Sequence, residues 1–205
     1  MTKRITISTL DAMKASGDKF VMITAYDATF ARLASEAGAE TILVGDSLGM
    51  VLQGHETTIP VSLDAMAYHT ECVARARPHS LIVADLPFMS FSNSDDTLHA
   101  STRLMQAGAQ MVKLEGGTWL SDSIHRLVER GVPVCAHLGL TPQSVNVFGG
   151  YRVQGRTPKE AKSILADAVE IQDAGASLLV LECIPAELAA DISSKLDIPV
   201  IGIGA

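Results

Sequence analysis

Short apolar runs alternate along this chain with longer stretches of helical period. The runs cover 20–27 (FVMITAYD), 41–47 (TILVGDS), 81–88 (LIVADLPF), 111–117 (MVKLEGG), 132–140 (VPVCAHLGL), 177–184 (SLLVLECI) and 198–205 (IPVIGIGA). Several are almost unbroken in Val, Ile and Leu, which marks strands buried on both faces, as in a parallel sheet. Between the fifth and sixth runs, 158–173 sets Ala161, Ile164, Leu165, Ala168 and Ile171 on one helical face. Thr157, Pro158 and Glu160 open that helix as N-cap, N1 and N3, the pattern of a capping box. A short N-terminal helix is expected over 8–17. Ala37-Gly38-Ala39, Ala107-Gly108-Ala109 and Ala174-Gly175-Ala176 each close a helical stretch just before a strand, and Glu129-Arg130-Gly131 does so before the fifth. Glycine there suits the left-handed residue that ends a helix.

Seven strand-then-helix units in one repeating order predict a single α/β domain over 1–205. The candidates are a (β/α)8 TIM-type barrel and a doubly wound open sheet. Two features favour the barrel. The first strand leads into Tyr26-Asp27-Ala28-Thr29 rather than a Gly-rich phosphate fingerprint. Polar residues close five different strands, at Asp46, Asp85, Glu115, His137 and Glu182, and a barrel gathers all its strand ends around one mouth. A barrel needs eight strands, so the eighth βα unit is missing from this chain, and the edges of the first and seventh strands are expected to be exposed.

Composition narrows the class. Apolar residues make up 47% of the chain, enough for a large core, yet no run approaches the roughly 20 residues of a membrane span. Met1 to Leu10 is polar and lacks the apolar segment of a secretory signal. A net charge of −7 with no basic run argues against nucleic acid, whose phosphates require clustered Lys and Arg. Cys72, Cys135 and Cys183 are scattered and outside any CxxC spacing. They read as reduced, buried, small apolar residues of a cytoplasmic protein.

The strand-end residues carry the candidate chemistry. Asp46 and Asp85 each follow an apolar run, and the plain reading of either is an N-cap for the next helix. Two buried like charges on neighbouring strands repel unless a cation lies between them. Hard carboxylate oxygens favour Mg²⁺ over Zn²⁺. Lys113 and Glu115 stand two apart on one strand and so share a face, the interior one in a barrel. They make either a structural ion pair or a site in which Lys113 meets an anionic substrate oxygen and Glu115 stands near the metal. Glu182 lies among apolar neighbours, which should raise its pKa into the range of a general base. Its plainer reading is a partner for a helix N-terminus or an Arg. A single His at a strand end, such as His137, is more often structural than catalytic. The stretches 48–61 and 141–156 each follow a strand, and their length suits either a lid over the site or an oligomer contact.

The residues resemble one family over nearly the whole chain. The resemblance is carried, in the family's order, by Thr24-Ala25-Tyr26-Asp27, by Val44-Gly45-Asp46-Ser47-Leu48-Gly49-Met50 and by Gln53-Gly54-His55. It continues through Ala84-Asp85-Leu86-Pro87-Phe88-Met89 and Val112-Lys113-Leu114-Glu115-Gly116-Gly117. Gly139-Leu140-Thr141-Pro142-Gln143-Ser144, Phe148-Gly149-Gly150-Tyr151 and Val180-Leu181-Glu182-Cys183 complete it. Together these resemble ketopantoate hydroxymethyltransferases, barrels of the phosphoenolpyruvate/pyruvate superfamily. The resemblance implies Mg²⁺ held by Asp46, Asp85 and Glu115, with the 2-oxo acid 3-methyl-2-oxobutanoate contacted by Asp46, Ser47, Asp85 and Lys113. It implies Glu182 as the proton acceptor and 5,10-methylenetetrahydrofolate as one-carbon donor, giving 2-dehydropantoate for pantothenate and coenzyme A synthesis. It further implies a cytoplasmic homo-oligomer, resembling a pentamer of dimers, with no nucleic-acid or membrane partner. The rival readings are a Mg²⁺-dependent lyase or mutase of the isocitrate lyase or phosphoenolpyruvate mutase kind, and an inactive remnant serving only in assembly.

Overall fold

The computed structural model describes residues 4–204. Its residues group into two compact units, one running up to Lys113 and the other from Leu114, with the boundary inside a strand.

The first unit begins with α1 (Ile7–Ser16), capped by a reciprocal pair between Thr6 and Thr9 and closed by Gly17 in the left-handed conformation. The helix therefore starts one residue before the expected 8–17 span, and Gly17 is its cap rather than its last turn. Then follow β1 (Met22–Thr24), α2 (Ala28–Glu36), β2 (Thr41–Val44), α3 (Leu48–Val51), α4 (Leu63–Arg75), β3 (Leu81–Asp85), α5 (Ser94–Ala107) and β4 (Met111–Glu115). Local chemistry sets the helix ends. The Asn93 side chain accepts the N–H groups of Asp95 and Asp96 at the start of α5, where two carboxylates also suit the positive end of the helix dipole. At its other end Gly108 has φ 113, and a Cβ there would collide with that of Ala74 on α4. Only glycine satisfies both the backbone and the close approach of the two helices.

The second unit contains a 3-10 turn (Thr118–Leu120), α6 (Ser121–Glu129), β5 (Val134–Gly139), a second 3-10 turn (Pro142–Ser144), α7 (Val145–Phe148), α8 (Pro158–Asp173), β6 (Leu178–Glu182), α9 (Ala186–Lys195) and β7 (Val200–Ile203). Helix α8 carries the capping box expected of it: the Glu160 N–H donates to Thr157 Oγ1 at 3.3 Å and the Thr157 N–H to Glu160 Oε2 at 3.1 Å.

Each apolar run contains one strand, and the strands follow one another across the sheet in chain order, β1 to β7. Sheet order that never reverses removes the doubly wound alternative. In the first unit β1 pairs with β2, β2 with β3 and β3 with β4, all parallel, with Asp85 opposite Lys113. In the second, β5 pairs with β6 and β6 with β7, with His137 opposite Val180 and Gly139 opposite Glu182. Strands β3 and β4 are buried throughout, as continuous apolar runs require. On the two end strands Ile23 and Ile203 are 41% and 53% exposed. The stretches 48–61 and 141–156 are more ordered than the expected loops. The first opens with α3 and buries Thr58 and Val61; the second folds into a 3-10 turn and α7, closed by Gly149 in the left-handed region.

Candidate active site

The first unit assembles its polar cluster at the carboxyl ends of β2, β3 and β4. Asp85 and Lys113 are directly opposite in register, so their side chains share one face of the sheet. Lys113 Nζ donates to Asp85 Oδ1 at 2.6 Å. The other Asp85 oxygen accepts the backbone N–H of Asp46 at 3.1 Å. Asp46, Asp85 and Lys113 are all buried, at 3%, 4% and 4% exposure. Asp85 is therefore no N-cap: its carboxylate binds an ammonium and a neighbouring strand's turn. Tyr26, just past β1, shares a hydrogen bond of 2.9 Å with Ser47. His69 on α4 holds that turn, its Nδ1–H donating to the Tyr26 carbonyl at 2.8 Å. Burial pushes the Tyr26 phenol above its usual value; the Ser47 hydrogen bond opposes this, and the charges of Asp85 and Asp46 add to it. Tyr26 thus sits within the electrostatic reach of both carboxylates.

The second unit holds a line of three side chains. Glu115 Oε2 accepts the Gln143 N–H at 3.0 Å, and its Oε1 lies 3.3 Å from His137 Nδ1. His137 Nε2 lies 3.2 Å from Glu182 Oε2. The sheet explains the second contact. Glu182 stands opposite Gly139, which offers no side chain, so its carboxylate leans across the diagonal to His137, two residues back on β5. His137 is accordingly inside the strand rather than at its end. Its side chain is 2% exposed and that of Glu182 20%, leaving one end of the line buried and the other open to solvent.

Among the described residues no group of three or more His, Cys, Asp or Glu side chains is disposed to hold a metal ion. The cysteines depart from expectation: Cys135 is buried, whereas Cys72 and Cys183 are partly exposed. No helix is long and apolar enough to cross a membrane among the described residues.

The sequence profile of the ketopantoate hydroxymethyltransferase family matches residues 4–205. The chain belongs to the ketopantoate hydroxymethyltransferase family. These are transferases of one-carbon groups. A 3-methyl-2-oxobutanoate hydroxymethyltransferase of Saccharophagus degradans is 55% identical over 205 residues, covering all of this chain and 76% of the relative. One from Pseudomonas aeruginosa, 3-methyl-2-oxobutanoate hydroxymethyltransferase 2, is 59% identical over 201 residues, covering 98% of this chain and 76% of its own length. Among solved structures, 2,3-dimethylmalate lyase, a member of the PEP mutase/isocitrate lyase superfamily, aligns with TM-score 0.69 at 17% identity, over 96% of this chain and 70% of the other. Phosphonopyruvate hydrolase in complex with oxalate and Mg²⁺ aligns with TM-score 0.67 at 16% identity, over 96% and 80%. At such identities the likeness establishes the fold alone, and it is the expected TIM-type barrel, with seven strands among the described residues.

Of the family residues expected from the sequence, Asp46, Ser47, Asp85 and Lys113 fall in the first unit's cluster, and Glu115 and Glu182 in the second's. Two partners escaped sequence reasoning. Tyr26 was visible only as part of the turn after the first strand and of a family stretch, with no role assigned to it. His137 was set aside as a lone histidine, although its place diagonal to Glu182 follows once β5 and β6 are paired in register.

Proposed function

We propose that this chain is a 3-methyl-2-oxobutanoate hydroxymethyltransferase that removes the C3 proton of its 2-oxo acid and transfers a hydroxymethyl group from 5,10-methylenetetrahydrofolate, giving 2-dehydropantoate. The observation that carries the reading is the buried cluster in which Asp85 meets Lys113 at 2.6 Å beside the turn bearing Asp46 and Ser47. Burying two carboxylates and one ammonium is costly and is poor value for stability alone. A small anionic acid and a hard cation give that cost a purpose.

The residues fit a Mg²⁺ ion. Mg²⁺ typically takes one or two protein carboxylates and fills its remaining positions with water and substrate oxygens, so Asp46 and Asp85 suffice as direct holders. Glu115 belongs to the proposed set by family resemblance alone, since its oxygens face the Gln143 N–H and His137 Nδ1. When bound, the ion supplies Lewis-acid polarisation of the keto oxygen, worth several kcal/mol. Ser47 and Tyr26 offer hydroxyls to the substrate's polar end. Lys113 supplies a fixed positive charge for the negative charge that develops on the acid, already oriented by Asp85 and needing no rearrangement. Glu182 takes the C3 proton on its solvent-facing carboxylate. His137 orients that carboxylate through Oε2, and Glu115 orients His137 in turn.

The folate donor, the place of the reaction in pantothenate synthesis, the cytoplasmic location and the homo-oligomer belong to the same proposal and rest on family membership. The test is exchange of the C3 proton of 3-methyl-2-oxobutanoate in deuterated water, followed by NMR as Mg²⁺ is added. Exchange that needs the metal and disappears in Glu182→Gln and Asp85→Ala supports the reading. A folded chain that cleaves a larger acid without folate is a lyase instead. Size-exclusion chromatography reads the oligomer, and a monomer removes that part.

A further inference from the structure

Glu182 ends β6, and the chain around it is unusually constrained. Its carbonyl accepts the Leu140 N–H at 2.8 Å. Gly139, opposite it, has φ 89, and a Cβ there would fall on the Glu182 carbonyl oxygen. The next residue, Cys183, has φ 48. This is the left-handed region, disfavoured for any residue with a Cβ, and Cys183 is one of three such residues among those described. Hydrogen bonds on both sides hold it there. Its N–H donates to the Ile203 carbonyl at 2.9 Å and its own carbonyl accepts the Gln154 N–H at 2.9 Å. Its Sγ packs where Gly204 leaves space; a Cβ on Gly204 would lie 2.7 Å from the sulfur.

A glutamate has three rotatable side-chain bonds, and the Glu182 carboxylate has one oxygen, Oε2, 3.2 Å from His137 Nε2. The backbone must therefore fix where the free oxygen stands. Displacement of a reacting group by about 1 Å can cost on the order of 10²-fold in rate. We propose that Cys183 is a positioning residue for Glu182: its left-handed backbone, locked by Gln154 and Ile203, breaks β6 immediately after the carboxylate and sets the carboxylate's reach. The thiol itself is idle. Burial pushes it above its usual range, and the neighbouring Glu182 carboxylate adds to that, so it stays protonated and a weak nucleophile.

The proposal rests on Glu182 being the proton acceptor, and the test separates the two. Metal-dependent C3 exchange is measured on the whole chain carrying Cys183→Ser, Cys183→Thr or Cys183→Gly, beside Glu182→Gln. Ser and Thr differ by one methyl on Cβ, and branching there opposes the left-handed backbone. The expected result is that Ser and Gly keep kcat within about threefold of wild type, while Thr loses on the order of 10²-fold in kcat with KM for the oxo acid nearly unchanged. Thermal melting of each variant reports whether it is folded. A folded Thr variant with full kcat overturns the proposal, as does equal loss in Ser and Thr, which would implicate the thiol. Should Thr fail to fold, Gly decides: it needs no strain to adopt φ 48, so a tenfold or larger kcat loss in the folded Gly variant also overturns it. Full exchange in Glu182→Gln rejects the base assignment. No exchange in Glu182→Gln with full exchange in Cys183→Thr rejects the positioning role alone.

Discussion

Lys113 Nζ lies 2.6 Å from Asp85 Oδ1, on directly paired residues of adjacent parallel strands. Both side chains are almost wholly withdrawn from water, so the pair is governed by desolvation as much as by attraction. Lys113→Met removes the ammonium while the carboxylate stays buried, and the expected cost is about 3–5 kcal/mol. The double variant Lys113→Met with Asp85→Leu removes both charges and should recover most of that loss, though not activity. Urea unfolding of the three variants checks this. A single-variant cost below about 1 kcal/mol would mean that water reaches the pair in solution and screens it.

Metal binding is testable without turnover. If Asp46 and Asp85 hold Mg²⁺ in the folded chain, the ion stabilises it by mass action, by about 2.7 kcal/mol at a hundred times Kd. For a domain of this size that corresponds to a rise in Tm of roughly 5–10 °C. Asp46→Asn and Asp85→Asn should abolish the rise while leaving a cooperative transition. A Mg²⁺-independent Tm in the wild type, scanned to tens of millimolar, removes the metal assignment to these two residues.

Helix α8 offers a prediction from local chemistry alone. Thr157 and Glu160 cap each other's backbone N–H groups. Thr157→Ala should cost about 1 kcal/mol, and Thr157→Asp much less, because aspartate caps as well and suits the helix dipole. Thermal melting distinguishes them, and equal melting of Thr157→Ala and wild type would show that the cap adds nothing.

The ease of reading that cap shows what sequence conveys. Its partners are three residues apart, so one helical turn brings them together whatever the rest of the chain does. The seven strands were legible for a related reason: burial on both faces leaves unbroken Val, Ile and Leu runs, and turn glycines mark the helix ends between them. Asp85 was visible as a polar residue closing an apolar run and Lys113 as one sharing a strand face with Glu115, but the pairing of Asp85 with Lys113 was not, because it depends on register between strands 28 residues apart. His137 shows the same limit. The sequence places it next to Leu138; only pairing β5 with β6 puts it across from Val180 and diagonal to Glu182. The left-handed backbone at Cys183 left no sequence signal, since left-handed positions announce themselves through glycine or asparagine and cysteine is neither.

Tyr26 carries a pH signature whose sign follows from its surroundings. Burial raises its phenol, Ser47 partly offsets this by hydrogen bonding, and the charges of Asp85 and Asp46 raise it further. The folded value therefore lies above the unfolded value of about 10. Between the two, the native chain holds a proton that the unfolded chain has released, so stability falls as pH rises. The contribution is fully present below pH ~10 and is lost as pH climbs through the folded value. Tyr26→Phe lacks this group, and above pH ~10 the metal-free variant should lose stability less steeply than the metal-free wild type. Urea midpoints taken from pH 8 to 11 on both proteins check it. Superimposable curves would mean that Tyr26 is no more shielded in the folded chain than in the unfolded one, and that its phenol is not held between Ser47 and the two aspartates in solution.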